Sequence, residues 1–207
     1  MKENWNMVYK DVKREELGWY EKESCKSMNL IEKYMKNKEK IILDAGCGET
    51  TLIQSLIEKG YQEIIGIDFS IEAINFLKKT IVLGEETKVH LEVRDLTDKI
   101  QFLKKGALWH DRAVFHFLQT SKDREAYKNN LKNFLEKDGI FIISCFSKKN
   151  EAEKCNNLLV KKYDLKGLIE IFGDSFKLKE SLEYDYKMPW GDIRKYITCV
   201  FSKISEN

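Results

Sequence analysis

Five apolar runs that alternate with helical patterns constrain the fold of this chain more than any other feature. The runs are "KIILDAG", "EIIGIDF", "VHLEVRD", "ALWHDRAV" and "GIFIISCF". Their apolar content is the one expected of strands that are buried in a parallel sheet. Helices are predicted between them over Thr51–Lys59, Ser70–Lys79 and Asp123–Leu135. This order predicts an α/β fold in which helices cover both faces of an open, mostly parallel sheet.

The segments on either side of this core have different patterns. Residues 1–38 contain one or two amphipathic helical patterns and are predicted to form a helical lid. Further on, a predicted helix at Leu165–Phe172 precedes two alternating segments joined by "MPWGD", which predicts an antiparallel hairpin at the far edge of the sheet. We expect a single domain of 207 residues, with the lid at 1–38, a ligand-binding core at 39–147, and the helix and hairpin at 148–207.

The composition argues against several classes of protein. The 36 basic and 34 acidic residues nearly cancel and are interspersed, so binding of nucleic acid is not indicated. The five cysteines form no C-x-x-C pair, so neither a metal site nor a disulfide framework is predicted. The N-terminus is too polar for a signal peptide, and no apolar run is long enough to span a membrane. We therefore expect a cytoplasmic protein with reduced thiols. These patterns do not predict its oligomeric state.

The first predicted strand ends in a glycine turn, "DAGCG". Gly46 and Gly48 allow a tight turn and a close approach of the backbone to a ligand above the strand end. A dinucleotide site would continue to a third glycine, but Thr51 stands there, and Glu49 follows Gly48 directly. Together with Asp44 at the strand end, Glu49 would repel a pyrophosphate. The turn therefore favours a cationic ligand.

Further acids end the next two predicted strands. Asp68 lies twenty residues beyond Gly48, at the spacing where a carboxylate accepts hydrogen bonds from ribose hydroxyls. Asp95 ends the third strand, where it could contact an adenine amino group, although an Asx turn in a polar loop would explain it as well. Parallel strands end at one rim of a sheet, so Asp44, Asp68 and Asp95 are expected to converge. A ligand with an adenosine, a cation and an amino acid but no phosphate fits this rim, which predicts S-adenosylmethionine.

Three of these stretches resemble the first motifs of the class I S-adenosylmethionine-dependent methyltransferases: "ILDAGCGETTLIQSLIEKGY", "IIGIDFSIEAI" and "VRDLTD". A more particular resemblance is carried by "LWHDRAVFHFLQTSKDREAYKNNL", "EKCNNLLVKKYD" and "MPWGDIRKYITCVFSK". It is to a group of small bacterial and archaeal methyltransferases that is distantly similar to the lysine methyltransferases of translation elongation factors. The first resemblance covers roughly residues 40–147 and the second nearly the whole chain. The chain departs from the group at Gly106-Ala107, where Phe-Asp is usual, and at "ETT", where the helix usually starts with a glycine-like residue.

The resemblance implies a Rossmann-like sheet of seven strands, mostly parallel with the last strand antiparallel. It also implies S-adenosylmethionine at the carboxyl ends of the strands, with S-adenosylhomocysteine as the product. The residues expected at this cofactor site are Asp44, Gly46, Cys47, Gly48, Thr51, Asp68, Phe69, Ser70, Arg94, Asp95, Leu96 and His110.

The methyl acceptor is not identified by these motifs. An unidentified small molecule is the expected acceptor, and a protein lysine is the alternative. A module that binds the cofactor without catalysis is an alternative from another class. "HDRAV" stands where amide and nucleobase N-methyltransferases carry "NPPY" or "DPPY", which disfavours DNA.

The fourth predicted strand ends at His110 and Asp111, where a bound cofactor would present its methyl group. A histidine beside a carboxylate can accept a proton from a substrate nitrogen or oxygen, so both are candidate catalytic residues. In the alternative, Asp111 pairs with Arg112 and holds the loop, while His110 is only a hydrogen-bonding wall.

Four side chains are candidates for binding the acceptor. Trp19 and Tyr20 lie in the predicted lid, and Arg112 follows the catalytic candidates. Trp190 is included because the "MPWG" turn is expected to overhang the same rim as the cofactor. For each of the three aromatic residues, ordinary packing or stabilisation of a turn is the alternative.

Overall fold

A seven-stranded mixed sheet is the centre of the computed structural model, which describes residues 1–204. The strands of the chain are β1 (Ile42–Ala45), β2 (Glu63–Asp68), β3 (Lys88–Val93), β4 (Gly106–Arg112), β5 (Leu135–Phe146), β6 (Lys154–Cys155), β7 (Leu158–Leu159), β8 (Phe176–Lys187) and β9 (Ile193–Lys203). The large sheet has the order β3-β2-β1-β4-β5-β9-β8. Strands β1 to β5 pair in parallel, and β9 is antiparallel to both of its neighbours. The predicted α/β sheet with an antiparallel last strand is confirmed.

Six α-helices within residues 1–204 flank the strands. They are α1 (Lys2–Asp11), α2 (Cys25–Tyr34), α3 (Leu52–Glu58), α4 (Ile71–Thr80), α5 (Ser121–Phe134) and α6 (Leu165–Phe172). The four helices predicted after residue 40 are present, each within two residues of its expected ends. Ser70 caps α4 by accepting a hydrogen bond from Ala73 N, and Gly60 follows α3 with a φ of +80°. These two residues set helix ends as their sequence positions predict.

The junction of α5 and β5 differs from the prediction. Leu135 was expected to end the helix, but it is the first residue of β5 and pairs with Gly106 of β4. Asp138, whose φ is +58°, lies within the strand, where the β4–β5 register shifts. Leu135 is fully buried, so its packing holds this segment in the sheet although Asp138-Gly139 is a dipeptide typical of turns.

Both faces of the sheet are covered by helices because successive strand residues point to opposite sides. Leu43 and Trp109 pack on one side with Phe134 of α5. Ile42 and Leu108 pack on the other side, in the apolar cluster that includes residues of α2, α3 and α4. The central strands are therefore apolar along their length, in agreement with the runs that identify them in the sequence.

A third apolar cluster forms at the carboxyl ends of the strands, around Trp5, Phe117 and Tyr196. The small β6–β7 hairpin, which the sequence did not predict, turns at Asn156 and Asn157, both with positive φ. Residues 205–207 of the predicted C-terminal segment lie outside the described residues. Within residues 1–204, no helix has the length and apolar content needed to cross a membrane.

Candidate active site

A cavity of about 320 Å³ lies over the carboxyl ends of β1, β2 and β4. Its volume is near the lower end of the roughly 300–1,000 Å³ of small-molecule sites. Asp44, Asp68 and His110 contribute to its floor, and residues of α1 and of the segment 17–24 contribute to its cover. The predicted rim of strand ends is therefore a concave site.

The backbone of the glycine turn has a conformation that allows close approach of a ligand. Gly46 and Gly48 have φ of +66° and +53°, in the left-handed region where a Cβ is disfavoured. A Cβ at Gly46 would lie 2.2 Å from Cγ2 of Val114, and one at Gly48 would lie 2.4 Å from the hydroxyl oxygen of Tyr9. The N–H groups of Gly46 and Cys47 both donate to the carbonyl oxygen of Ile67, at 2.7 and 3.0 Å. The turn is thereby tied to β2.

The three acids at the strand ends all line the cavity, but their environments differ. Asp44 accepts a hydrogen bond through Oδ1, while its buried Oδ2 has no hydrogen-bond partner within residues 1–204. Asp68 accepts from Gly48 N at 2.9 Å and Ser70 N at 2.8 Å. Burial raises the pKa of Asp68 to about 6, although these N–H groups favour the carboxylate. Asp95 accepts from Thr97 N and Oγ1, which is the Asx turn considered as its alternative.

His110 belongs to a buried hydrogen-bonded chain. Its Nδ1 lies 2.7 Å from Asp44 Oδ1, and its Nε2 lies 2.9 Å from the hydroxyl oxygen of Ser27 on α2. Asp44 and His110 are register partners on β1 and β4, so their side chains share one face of the sheet. Both ring nitrogens are occupied. This geometry fits a fixed wall of the site better than a free proton acceptor.

Asp111 points away from the cavity. It is fully buried and accepts hydrogen bonds from the hydroxyl of Tyr127, at 2.7 Å, and from the N–H groups of Val114 and Phe115. Burial raises its pKa to about 6. These bonds hold the loop after β4, where Ala113 has a φ of +67°. Asp111, predicted as a catalytic residue, does not line the cavity, because it follows His110 on a strand and faces the opposite side.

Arg112 lines the cavity but does not pair with Asp111. Its Nη2 lies 3.1 Å from Glu21 Oε1, an ion pair without good hydrogen-bond alignment, and its Nη1 donates to the carbonyl oxygen of Trp19 at 2.9 Å. Its guanidinium also lies over the ring of Tyr186, 5.0 Å from the centroid. Arg112 therefore ties the segment around Trp19 to the C-terminal hairpin.

Comparison with known proteins identifies the family. Residues 36–195 match the family model described as "Methyltransferase domain". This chain belongs to that family. The match confirms the predicted methyltransferase and, with it, S-adenosylmethionine as the methyl donor.

The methyltransferase resembles individual proteins over most of its length. It is 27% identical to EEF1A lysine methyltransferase 2 of Mus musculus, with 87% of this chain and 73% of that protein covered. It is also 27% identical to the Homo sapiens protein of the same name, with 87% and 76% covered. A solved S-adenosylmethionine-dependent methyltransferase of Methanosarcina mazei matches with a TM-score of 0.73 at 16% identity, covering 86% of this chain and 98% of that one. The solved structure shares the fold.

The residues of the cavity floor fit the cofactor of this family. The unpartnered Asp44 Oδ2 is a buried acceptor that an amino group would satisfy. A carboxylate has about four acceptor positions, so Asp68 can accept ribose hydroxyls in addition to its two backbone N–H groups. A side chain at position 48 would fill the space over the turn, where the methyltransferase has glycine. No described group of three or more His, Cys, Asp or Glu side chains in residues 1–204 is placed to hold a metal.

Most of the residues predicted for the site of this methyltransferase are brought together. The predicted residues that line the cavity are Asp44, Gly46, Cys47, Gly48, Thr51, Asp68, Phe69, Arg94, Asp95, Leu96, His110, Trp19, Tyr20 and Arg112. Ser70 is fully buried as the cap of α4 and lies outside the lining. Trp190 also lies outside it, with 57% of its surface exposed. The hairpin does turn at this rim, but the indole of Trp190 lies beside Gly18, with its Cη2 atom 2.8 Å from the Cβ position of that glycine.

Several lining residues were not predicted. Trp5 and Tyr9 of α1 and Phe117 after β4 line the cavity, and so does Glu21. Glu49, expected beside the ligand because of its charge, lines it as well. The i, i+4 spacing of Trp5 and Tyr9 on a helix was an available signal that both face one way. Nothing in the local sequence shows which surface that face covers.

Proposed function

We propose that this methyltransferase transfers the methyl group of S-adenosylmethionine to the amine of a protein lysine. The observation that carries the proposal is the set of carboxylates lining the cavity, Asp44, Glu49 and Asp68, which suits a cationic donor and a basic acceptor. The relatives named EEF1A lysine methyltransferase 2 align with most of this chain and support a lysine acceptor.

We assign the cofactor contacts to the floor of the cavity. Asp44 and the turn at Gly46 and Gly48 would hold the amino-acid part, Asp68 the ribose hydroxyls, and Asp95 the adenine amino group. When bound, S-adenosylmethionine supplies a methyl group bonded to a positively charged sulfonium sulfur. The protein aligns an acceptor nitrogen with that carbon and excludes water.

A lysine amine must lose its proton before it can accept a methyl group. Burial raises the pKa of Glu49 to about 7, and this side chain lines the cavity with 8% of its surface exposed. We propose Glu49 as the acceptor of that proton, because a carboxylate with a pKa near neutrality is suited to general base catalysis at physiological pH. His110, with both ring nitrogens bonded, would position Asp44.

A small-molecule acceptor is the second candidate. It is favoured by the cover over the cavity, since Trp5 and Tyr9 of α1 line the site and could pack over a small acceptor. We expect either reaction to take place in the cytoplasm, in keeping with five free cysteines.

Incubation with radiolabelled S-adenosylmethionine and a cell extract separates these candidates. Label that enters a protein band and is recovered as methyl-lysine by mass spectrometry supports the lysine acceptor, and purified EEF1A is the first protein to test. Label in the small-molecule fraction supports the second candidate. Tight cofactor binding with no transfer to either fraction would contradict both and support a non-catalytic module.

A further inference from the structure

Four aromatic side chains form one continuous wall of the cavity, which we call the aromatic wall: Trp5, Tyr9, Trp19 and Phe117. The ring of Trp5 lies 5.0 Å from Trp19, 5.3 Å from Phe117 and 5.8 Å from Tyr9, measured between centroids. Tyr9 and Trp19 are 6.2 Å apart. The four rings come from α1, from the segment after it and from the short 3₁₀ helix after β4, so tertiary folding assembles the wall.

We propose that the aromatic wall is the acceptor subsite and that it binds the acceptor by the positive charge of an ammonium group. This inference rests on the proposed amine acceptor and deepens it. The face of an aromatic ring attracts a cation within about 6 Å of its centroid, and ammonium groups bearing methyl substituents are recognised in this way.

The position of the wall supports this assignment. At one end, the Tyr9 hydroxyl stands over Gly48 in the turn assigned to the cofactor. At the other end, Phe117 follows β4, the strand that contains His110 and ends at Arg112. The wall therefore extends from the donor side of the cavity to the end of β4, where the methyl group is expected to be presented.

The four rings also make no cation–π contact with an arginine or lysine of residues 1–204. Elsewhere, arginine and lysine side chains lie over Tyr20, Tyr34, Tyr61, Phe76, Tyr184, Tyr186 and Tyr196. Within residues 1–204, no such contact is made with the four rings of the aromatic wall. No arginine or lysine of the described residues therefore competes with an outside cation for these rings.

A wall of this kind suits the chemistry of methyl transfer to nitrogen. The lone pair of the neutral amine forms the N–C bond as the C–S bond breaks, the bonding electrons leave with sulfur as S-adenosylhomocysteine, and the positive charge moves from sulfur to nitrogen. The wall stabilises the charge as it develops on nitrogen. Since it needs no N–H donor from the acceptor, it continues to bind an amine whose hydrogens have been replaced by methyl groups.

A matched pair of probes tests the charge requirement. Nε-trimethyllysine and its neutral isostere, in which carbon replaces the charged nitrogen, have the same shape. Binding of each is measured by calorimetry to the full chain saturated with S-adenosylhomocysteine. We expect the charged probe to bind about tenfold more tightly. Equal affinity for the two probes would show that the rings only pack α1 against the domain, and the proposal would fail.

Three variants place the binding on the wall. Trp5→Leu and Phe117→Leu are each expected to reduce affinity for the charged probe about tenfold with little effect on the neutral one. Phe117 is not on α1, so its variant separates loss of a ring from detachment of the helix. Trp190→Phe, outside the cavity, is the control and should bind as the wild type does. Unchanged affinity in folded Phe117→Leu, which still binds S-adenosylhomocysteine, would refute the subsite.

The donor sulfonium is the competing cation. If the wall bound the donor, Phe117→Leu would lower the affinity for S-adenosylmethionine more than that for S-adenosylhomocysteine, whose sulfur is uncharged. It would leave the affinity for the charged probe unchanged, and this result would overturn the proposal. We expect that ratio to stay within about twofold of wild type. The failure of the proposed function can be distinguished from the failure of this subsite. The function is tested by transfer of label in the extract, whereas the subsite is tested by the affinity of the probes alone.

Discussion

Replacing Gly46 with alanine tests the construction of the cofactor turn. Gly46 has a φ of +66°, and a residue with a Cβ pays about 1–2 kcal/mol in this region. Its Cβ would also lie 2.2 Å from Cγ2 of Val114, whose own N–H is bonded to Asp111, so Val114 cannot move away freely. Overpacking of this kind costs about 1–3 kcal/mol. We therefore expect Gly46→Ala to lower the free energy of unfolding by about 2–5 kcal/mol.

Gly60→Ala is the matched control. Gly60 has a φ of +80°, but nothing lies within 4 Å of the Cβ position, so only the backbone term of about 1–2 kcal/mol is expected. Urea denaturation of both variants gives the difference, which is the steric term. Combining Gly46→Ala with Val114→Ala should recover much of that term, as seen in a double-mutant cycle. An equal loss of stability in Gly46→Ala and Gly60→Ala would refute the reasoning about the turn.

Further predictions follow from the buried charges. Burial raises the pKa of Asp68 to about 6, and the ionised form is the one assigned to the ribose. The affinity for S-adenosylhomocysteine, measured by calorimetry, should therefore rise between pH 5 and 7. Asp68→Asn should remove that rise. Asp68 and Asp111 both have a raised pKa, so the folded chain binds more protons than the unfolded chain between about pH 4 and 6. These two groups should therefore make the free energy of unfolding fall as the pH rises from about 4 to 6, which urea titrations measure. Asp111→Ala leaves the Tyr127 hydroxyl and two backbone N–H groups without an acceptor, so it should cost at least about 3 kcal/mol in denaturation. Its cofactor affinity should stay within about threefold once folded, and a larger loss would place Asp111 in the site after all. Arg112→Met leaves the partly buried Glu21 without its partner and should destabilise the chain by about 1–3 kcal/mol in thermal unfolding. Adding Glu21→Gln should recover part of this loss, and no recovery would show that the ion pair is not the cause.

The sequence contained enough to find the sheet and the cofactor rim. Parallel strands that are buried on both faces are apolar along their length, so the runs in the core are visible without any tertiary information. Their carboxyl ends must share one rim, and Asp44, Asp68 and Asp95 are at strand ends in the sequence itself. The glycine turn is a local property of the backbone, and local properties are those a sequence specifies most directly.

The catalytic pair shows where sequence reasoning stopped short. His110 and Asp111 are neighbours on one strand, so their side chains face opposite sides, and only one of them can line the cavity. Alternation alone was sufficient to exclude a joint role, but it could not say which residue faces the ligand. The register of β1 against β4 decides this, because it places His110 beside Asp44 and Asp111 beside Ala45.

The cover of the site was decided only by the tertiary structure. Tyr9 over Gly48 and Arg112 beside Glu21 join segments that are far apart in the chain. No local pattern specifies such contacts, because their partners are chosen by how α1 and the C-terminal hairpin pack at the strand ends. The sequence by itself determined the sheet, the rim and the cofactor turn through periodicity and backbone geometry. The aromatic wall and the Arg112–Glu21 ion pair depend on long-range packing, which has no counterpart in residue spacing.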